Sequence, residues 1–338
     1  MAGIAANQKP VRLRVTRTWL FRVAGSVLIL GFTLWWLPTG EVLAGFRALD
    51  ARVFAAAFGL FLIGHLVSAA KWWLLIDRGV SFRRALRAHF AGLAANLFLP
   101  GVSGGDAVRA GVLLRTVRRS DRLIAGSLVD RLIDIVALAI VSGGGLLALR
   151  GGGGGTGFVL LVQVAALLAA ILFCVFIVFP RAVPAIARRL PRLPLIGLAL
   201  KLAEAFGWLA GNPLRLLAAL SMSVAVQAGF VPLALWIAGT IGALAPAAAW
   251  FFAWPLAKIL AVLPISAGGL GVREASLATI LAQFGAVPAS IVAASLIWQA
   301  VLFCAGLLGA VSWLVFQEPS NALENGKTPV AETEGGNS

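Results

Sequence analysis

The sequence predicts an all-α polytopic membrane protein built as an inverted repeat. Three observations carry that prediction. Sixty per cent of the residues are hydrophobic and only 12% are charged, where a soluble domain carries roughly 25% charged residues. Several apolar runs exceed the roughly 20 residues that cross a bilayer as a helix. One helix-breaking, charged segment also occurs twice. The first copy is Leu99-Pro100-Gly101-Val102-Ser103-Gly104-Gly105-Asp106-Ala107-Val108-Arg109. The second is Leu263-Pro264-Ile265-Ser266-Ala267-Gly268-Gly269-Leu270-Gly271-Val272-Arg273. Without gaps they agree at Leu, Pro, both Gly, Val and Arg. Interrupted apolar segments in corresponding halves of a membrane protein point to a binding site between repeats.

Taken in order, a basic tail with Lys9, Arg12, Arg14, Arg17 and Arg22 leads into a first span at about 19–38. No signal-peptide cleavage site follows it, so the tail is expected in the cytoplasm. A mixed-charge outside loop, Glu41 to Arg52, precedes a second span at about 53–76. Arg78, Arg83, Arg84 and Arg87 mark the cytoplasmic side again. The short apolar segments 85–99 and 107–117 flank the first motif, and arginines stand at both outer ends. That pattern predicts a re-entrant hairpin, which is tolerated where protein or water surrounds its irregular backbone. Spans at about 123–149 and 157–179 follow, with Arg150 and a glycine run between them.

A basic stretch with Arg181, Arg188, Arg189, Arg192 and Lys201 carries Pro184, Pro191 and Pro194, which argue against one continuous helix. It reads as an interfacial connector over 181–213, dividing a first half, 1–180, from a second, 214–316. The second half repeats the scheme: a span at about 214–240, short segments 246–262 and 272–285 around the second motif, and a last span at about 290–316. The flanks of this hairpin carry no charge, which suits the outside face. Six full spans with two hairpins entering from opposite faces result; the alternative makes the second hairpin two full crossings, about eight in all. The acidic tail, 317–338, is expected to be disordered and cytoplasmic. Only Arg47, Arg52 and Arg150 fall in outside loops, so the basic excess of +15 reflects topology and anionic lipid rather than nucleic acid. The destination this implies is a bacterial cytoplasmic membrane.

A charge at mid-bilayer costs at least about 2.5–3.5 kcal/mol on insertion scales, so intramembrane charges pair, line water or act. Asp106 and Arg109 are three apart on one helical face and can pair. Arg273 and Glu274 adjoin. Asp130 and Asp134, with Arg131 between them, point the same way from the third span. Lys71 is expected to snorkel to the cytoplasmic surface; Lys258 is ambiguous. Trp72, Trp73, Trp250 and Trp254 fit interfacial belts. Arg109 and Arg273 each follow a Gly-Gly turn, Gly104-Gly105 or Gly268-Gly269, at an expected helix start. Free N–H groups, the positive helix end and a forked guanidinium there suit a phosphate. The carboxylates Asp106, Glu274, Asp130 and Asp134 would balance the arginines or carry a proton. Cys174 and Cys304 lie far apart in apolar segments and read as packing. With two histidines in the chain, a zinc site is not expected, and no catalytic residue, metal or cofactor is assigned.

At these residues the chain resembles the flippase-like family named for the transmembrane region of lysylphosphatidylglycerol synthase, which also includes proteins similar to a dolichol-phosphate glycosylation factor. The matching residues are Asn96 to Arg109, Asp130-Arg131 and Leu263 to Glu274. The resemblance implies lipid handling: in the aminoacyl-lipid synthases of the family a soluble domain makes the lipid and the membrane part moves it. It also places Asp106, Arg109, Asp130, Arg131, Arg273 and Glu274 in the family's polar core. The expected function is movement of an anionic, phosphate-headgroup lipid between leaflets, without a nucleotide-binding motif. A membrane-embedded transferase on a lipid-linked substrate, or a non-catalytic partner of a lipid synthase or glycosyltransferase, are the alternatives. The oligomeric state is not legible.

Overall fold

The computed structural model describes residues 39–98, 102–114, 116–150, 171–190, 195–262 and 269–315, with Leu28, Gly31, Phe32 and Trp35 before them. Most of the expected first span, the Gly-rich loop, residues 157–170 of the expected fourth span, the two motif tips (99–101 and 263–268, with Gly268), and the acidic tail lie outside the described residues. All secondary structure in the described residues is helical: α1 (Thr39–Ala48), α2 (Ala51–Leu75), α3 (Phe82–Phe98), α4 (Val102–Leu114), α5 (Ser120–Arg150), α6 (Phe179–Arg189), α7 (Ile196–Ala210), α8 (Pro213–Thr240), α9 (Ala247–Leu260), α10 (Val272–Ala282) and α11 (Pro288–Val315). A π-helical turn, Cys174–Val178, leads into α6. Among the described residues, five helices are long and apolar enough to cross a membrane: α2, α5, the stretch Ile171–Arg189, α8 and α11.

Local chemistry sets the boundaries. Asp50 caps α2 by accepting the Arg52 N–H at 2.8 Å, as a short acidic side chain does at a helix start. Left-handed Asp77 and Arg78 (φ 60° and 53°) end it, a conformation that stops a helix. The loop expected before α2 folds as α1 and packs on α11, where Gly45 lets it approach: a Cβ there would stand 2.9 Å from Ala293 Cβ. The expected basic connector holds two helices rather than one continuous helix. Pro184 sits inside α6 rather than ending a helix, and the stretch from Ile196 is a mainly apolar helix, α7, packed on α5 and α6. Its Ala205, Phe206 and Leu209 are buried with Leu75, Val129 and Ile133. The periodic apolar face, not the charge count, decides that segment.

The four elements α2 to α5 and the four elements α8 to α11 pack in matching ways. In each half the short helices adjoin: α3 with α4, and α9 with α10. Each first arm then crosses to the other half, α3 lying on α11 and α9 on α5, while α2 lies against α8. Glycine makes both crossings close. A Cβ at Gly145 of α5 would fall 2.3 Å from Phe252 N, and one at Gly309 of α11 would fall 2.3 Å from Phe90 O. Removing the side chain lets backbones touch, the usual device for packing helices in lipid.

The main core lies where α2, α8, α9 and α11 meet. Trp254 and Trp298 stand edge to face at 5.0 Å, and Phe61 stacks on Phe230 at 5.2 Å. The belt expectation fails for three tryptophans. Trp72, Trp250 and Trp254 are fully buried, because these helices turn their aromatic faces to protein and not to the headgroup layer. At one end of the molecule Asp77 pairs with Arg122 and, at 2.7 Å, with Arg215. Both guanidiniums lie on Trp208, 4.3 and 4.4 Å from the ring centre. This clasp ties the start of α5 and of α8 to the end of α2.

Candidate functional site

Six charged side chains from three helices form a closed ring of alternating sign. Lys71 of α2 lies 3.0 Å from Asp130 of α5. Asp130 accepts from Arg109 of α4 at 2.8 Å, and Arg109 lies 3.2 Å from Asp106. Asp106 takes the fork of Arg131, Arg131 reaches Asp134 at 3.9 Å, and Asp134 closes on Lys71. Three positive and three negative groups leave no net charge. Lys71, Arg109 and Asp130 are buried. Arg131 keeps 41% of its side-chain surface open. Lys71 therefore does not snorkel. Two carboxylates on the next helix hold it inside, at less cost than stretching to the surface would recover.

The helices position this ring through the first motif. α4 begins at Val102, so Gly104 and Gly105 lie in its first turn rather than in a turn before it. Gly105 serves packing: its Cβ would sit 2.3 Å from Gly92 O of α3, and its N–H donates to Asn96 Oδ1 at 2.9 Å. That N–H of the helix start is occupied, not free for an anion. Arg109 is pressed 4.3 Å over the Trp72 ring, a desolvated cation–π contact. Its Nη1 also donates to His89 Nδ1 at 3.4 Å. An arginine can only donate, so His89 carries its proton on Nε2 and donates to His65 Nδ1 at 3.0 Å. Ser223 of α8 donates to Asp134.

The second hairpin holds its arginine differently. Gly271 (φ 84°) opens α10, a conformation that favours glycine. Its N–H donates to Glu274 Oε2 at 2.7 Å. The other oxygen of Glu274, which is wholly buried, accepts from Arg273 Nη2 at 2.6 Å and from Ser295 Oγ at 3.1 Å. Arg273 Nη2 also donates to Gln299 Oε1 at 2.9 Å. Gly269 (φ 78°) backs onto Ala261. Lys258, at the end of α9, donates to Gln227 Oε1 at 2.6 Å and stands 5.6 Å from the centre of the Phe230 ring.

Asp106, Arg109, Asp130, Arg131 and Asp134 thus form one cluster, and Arg273 with Glu274 another. Lys71, His65, His89 and Ser223 complete the first and Ser295 and Gln299 the second, while Gln227 holds Lys258; of these, the sequence singles out only Lys71 and Lys258, as intramembrane charges. A signal was present for four: Ser223 and Gln227, and again Ser295 and Gln299, stand one helical turn apart inside otherwise apolar spans. Among the described residues no three His, Cys, Asp or Glu come together as a metal site, since the ring's carboxylates are interleaved with cations. Cys174 and Cys304 are free thiols.

The family model of the lysylphosphatidylglycerol synthase TM region matches residues 19–309. The chain belongs to that family. It is an integral membrane protein, and both charged clusters fall inside the matched region. No curated protein matches the chain.

Proposed function

We propose that this chain moves a lipid with an anionic phosphate headgroup between the two leaflets of a bacterial cytoplasmic membrane, with both termini inside. The carrying observation is a pair of buried arginines, Arg109 and Arg273, one on each short-helix pair, each held by carboxylates of its own half. Buried charges kept in lipid mark a transport path more often than a stabilising staple. The exchange of first arms between halves, α3 onto α11 and α9 onto α5, supports an inverted repeat. Gly145 and Gly309 strengthen it, because they stand the same distance apart in sequence as Arg109 and Arg273. Repeats of that kind rock about a central site.

In this reading the carboxylates hold the arginines while no lipid is bound. A headgroup phosphate then displaces Asp106 or Asp130 at Arg109 on one face, and Glu274 at Arg273 on the other. Forked guanidiniums suit phosphate, and Gly105 and Gly269, where a Cβ would meet Gly92 and Ala261, let the hairpins pack closely enough to shift as units.

Translocation of fluorescent phosphatidylglycerol, and separately of a polyprenyl phosphate, by purified protein in vesicles tests this. Arg109→Lys and Arg273→Lys keep the charge and lose the fork. The expected result is transport by wild type and a loss of tenfold or more in each variant, with the fold retained, as expected for a forked contact worth over about 1.4 kcal/mol. Undiminished transport in both variants overturns the mechanism.

A further inference from the structure

Charge bookkeeping inside the membrane leaves one cation over. The intramembrane cations among the described residues are Lys71, Arg109, Arg131, Lys258 and Arg273. The intramembrane anions are Asp106, Asp130, Asp134 and Glu274. The ring consumes three of each, and Glu274 consumes Arg273. Every acidic residue before the C-terminal tail is described, and none comes within ion-pair distance of Lys258. Its partner is an amide, Gln227. An ammonium has three donors, and Gln227 takes one of them. Lys258 is also only half-buried.

A second feature adjoins it. α2 and α8 leave between them an apolar groove of about 450 Å³, lined by Leu60, Ile63, Gly64, Phe230, Leu233 and Trp236. Leu60, Ile63 and Trp236 are exposed, so the groove opens on the outer, lipid-facing surface. Its size falls within the roughly 300–1,000 Å³ of ligand sites. Phe230 belongs to both features: it lines the groove, and Lys258 Nζ lies 5.6 Å from its ring centre. An apolar slot open to lipid and an uncompensated cation thus share one side chain as a wall.

We propose that this groove takes a hydrocarbon chain of a phosphate-headgroup lipid, whose phosphate is held by Lys258. The assignment rests on the lipid class proposed above and adds where that lipid enters: sideways, between α2 and α8. The occupant follows from charge complementarity. An anion at Lys258 brings the intramembrane charge to zero, and an apolar chain is the only part of such a lipid that the groove can shelter. Arg109 and Arg273 each already hold a carboxylate, whereas Lys258 holds none, so Lys258 is the first contact and the arginines act after it.

Native mass spectrometry of the purified full chain tests this with phosphatidylglycerol and phosphatidylcholine of identical acyl chains. Both lipids carry a phosphate, but choline's ammonium leaves phosphatidylcholine without net charge, so wild type is expected to bind one phosphatidylglycerol about tenfold more tightly, about 1.4 kcal/mol for the net negative charge that offsets Lys258. Lys258→Gln loses that preference and Lys258→Arg keeps it. Gly229→Phe plugs the groove, since a Cβ at Gly229 meets nothing within 4 Å, and weakens both lipids alike; Gly229→Ala is the folded control and changes neither. Retained preference in Lys258→Gln, or unchanged binding in Gly229→Phe, overturns the assignment. The transport reading fails separately: selective binding without translocation sinks transport and leaves the site standing, and translocation without selectivity does the reverse.

Discussion

The two hairpins carry the same motif and solve the same electrostatic problem by different means. In the first, Arg109 is neutralised by Asp130 and Asp106, from α5 and from its own helix, within a six-membered ring that spans three helices. In the second, Arg273 is neutralised by the residue beside it, Glu274, which also caps the helix, and the facing span offers only Ser295 and Gln299. The first arrangement is a network, in which loss of one member leaves each of two neighbours with a single opposite charge. The second is a local pair with neutral support. A buried charge costs most when its partner disappears and it stays behind. The first hairpin should therefore be the rigid one and the second the one that can release its arginine.

The largest effect tests the network. Asp130→Asn takes the carboxylate from both Lys71 and Arg109, and about 3–5 kcal/mol of stability is expected to go with it. Thermal unfolding in detergent, followed by the loss of monodisperse protein, gives the size. Adding Lys71→Met should recover part of the loss, because one stranded cation goes as well. If the double variant is no better than Asp130→Asn alone, the two residues are not coupled and the ring is only a set of neighbours.

Glu274→Gln is expected to cost less, about 1–3 kcal/mol. Glutamine can still accept the Gly271 N–H, and Arg273 keeps Ser295 and Gln299. A cost equal to that of Asp130→Asn would erase the proposed difference between the hairpins. The crossings should behave alike. Gly145→Ala and Gly309→Ala each push a methyl onto backbone at 2.3 Å, and both should lose roughly 1–3 kcal/mol as overpacking does. A large loss in one and none in the other would argue against the inverted relation.

Much of this was legible in the sequence, for identifiable reasons. The boundaries of α2, α5, α8 and α11 follow from apolar runs flanked by charge or proline, and the pairs Asp106–Arg109 and Arg273–Glu274 follow from spacing alone. The ring itself was not legible. Lys71 is 63 residues from Asp134, and nothing in the chain says that α2 lies against α5. The histidine pair was missed because two isolated histidines in apolar helices carry no spacing signal. The first Gly-Gly pair lies inside a helix rather than in a turn for a different reason. Gly105 is there for the approach of Gly92, and a packing glycine looks the same in sequence as a turn glycine. The tryptophan belts failed likewise, since the chain writes Trp254 the same way whether it meets a headgroup or Trp298.

The smallest expected effect is the most discriminating. Lys258→Met removes a buried-side cation that has no carboxylate to strand, so the penalty that dominates Asp130→Asn is absent. The hydrogen bond to Gln227 and the contact with the Phe230 ring are lost, roughly 1.5–3 kcal/mol for a bond made by a charged group, and the desolvation cost of an unpaired ammonium, of similar size, is relieved. Stability should change little or rise, in contrast to Lys71→Met, which leaves Asp130 and Asp134 short of a cation and should be destabilising. Two lysines in two apolar helices thus separate by one measurement. A lysine whose removal costs the fold nothing, in a place where charge is expensive, is kept for something other than the fold. If Lys258→Met instead unfolds the protein as readily as Asp130→Asn does, Lys258 is structural, and the asymmetry between the hairpins lies in packing rather than in charge.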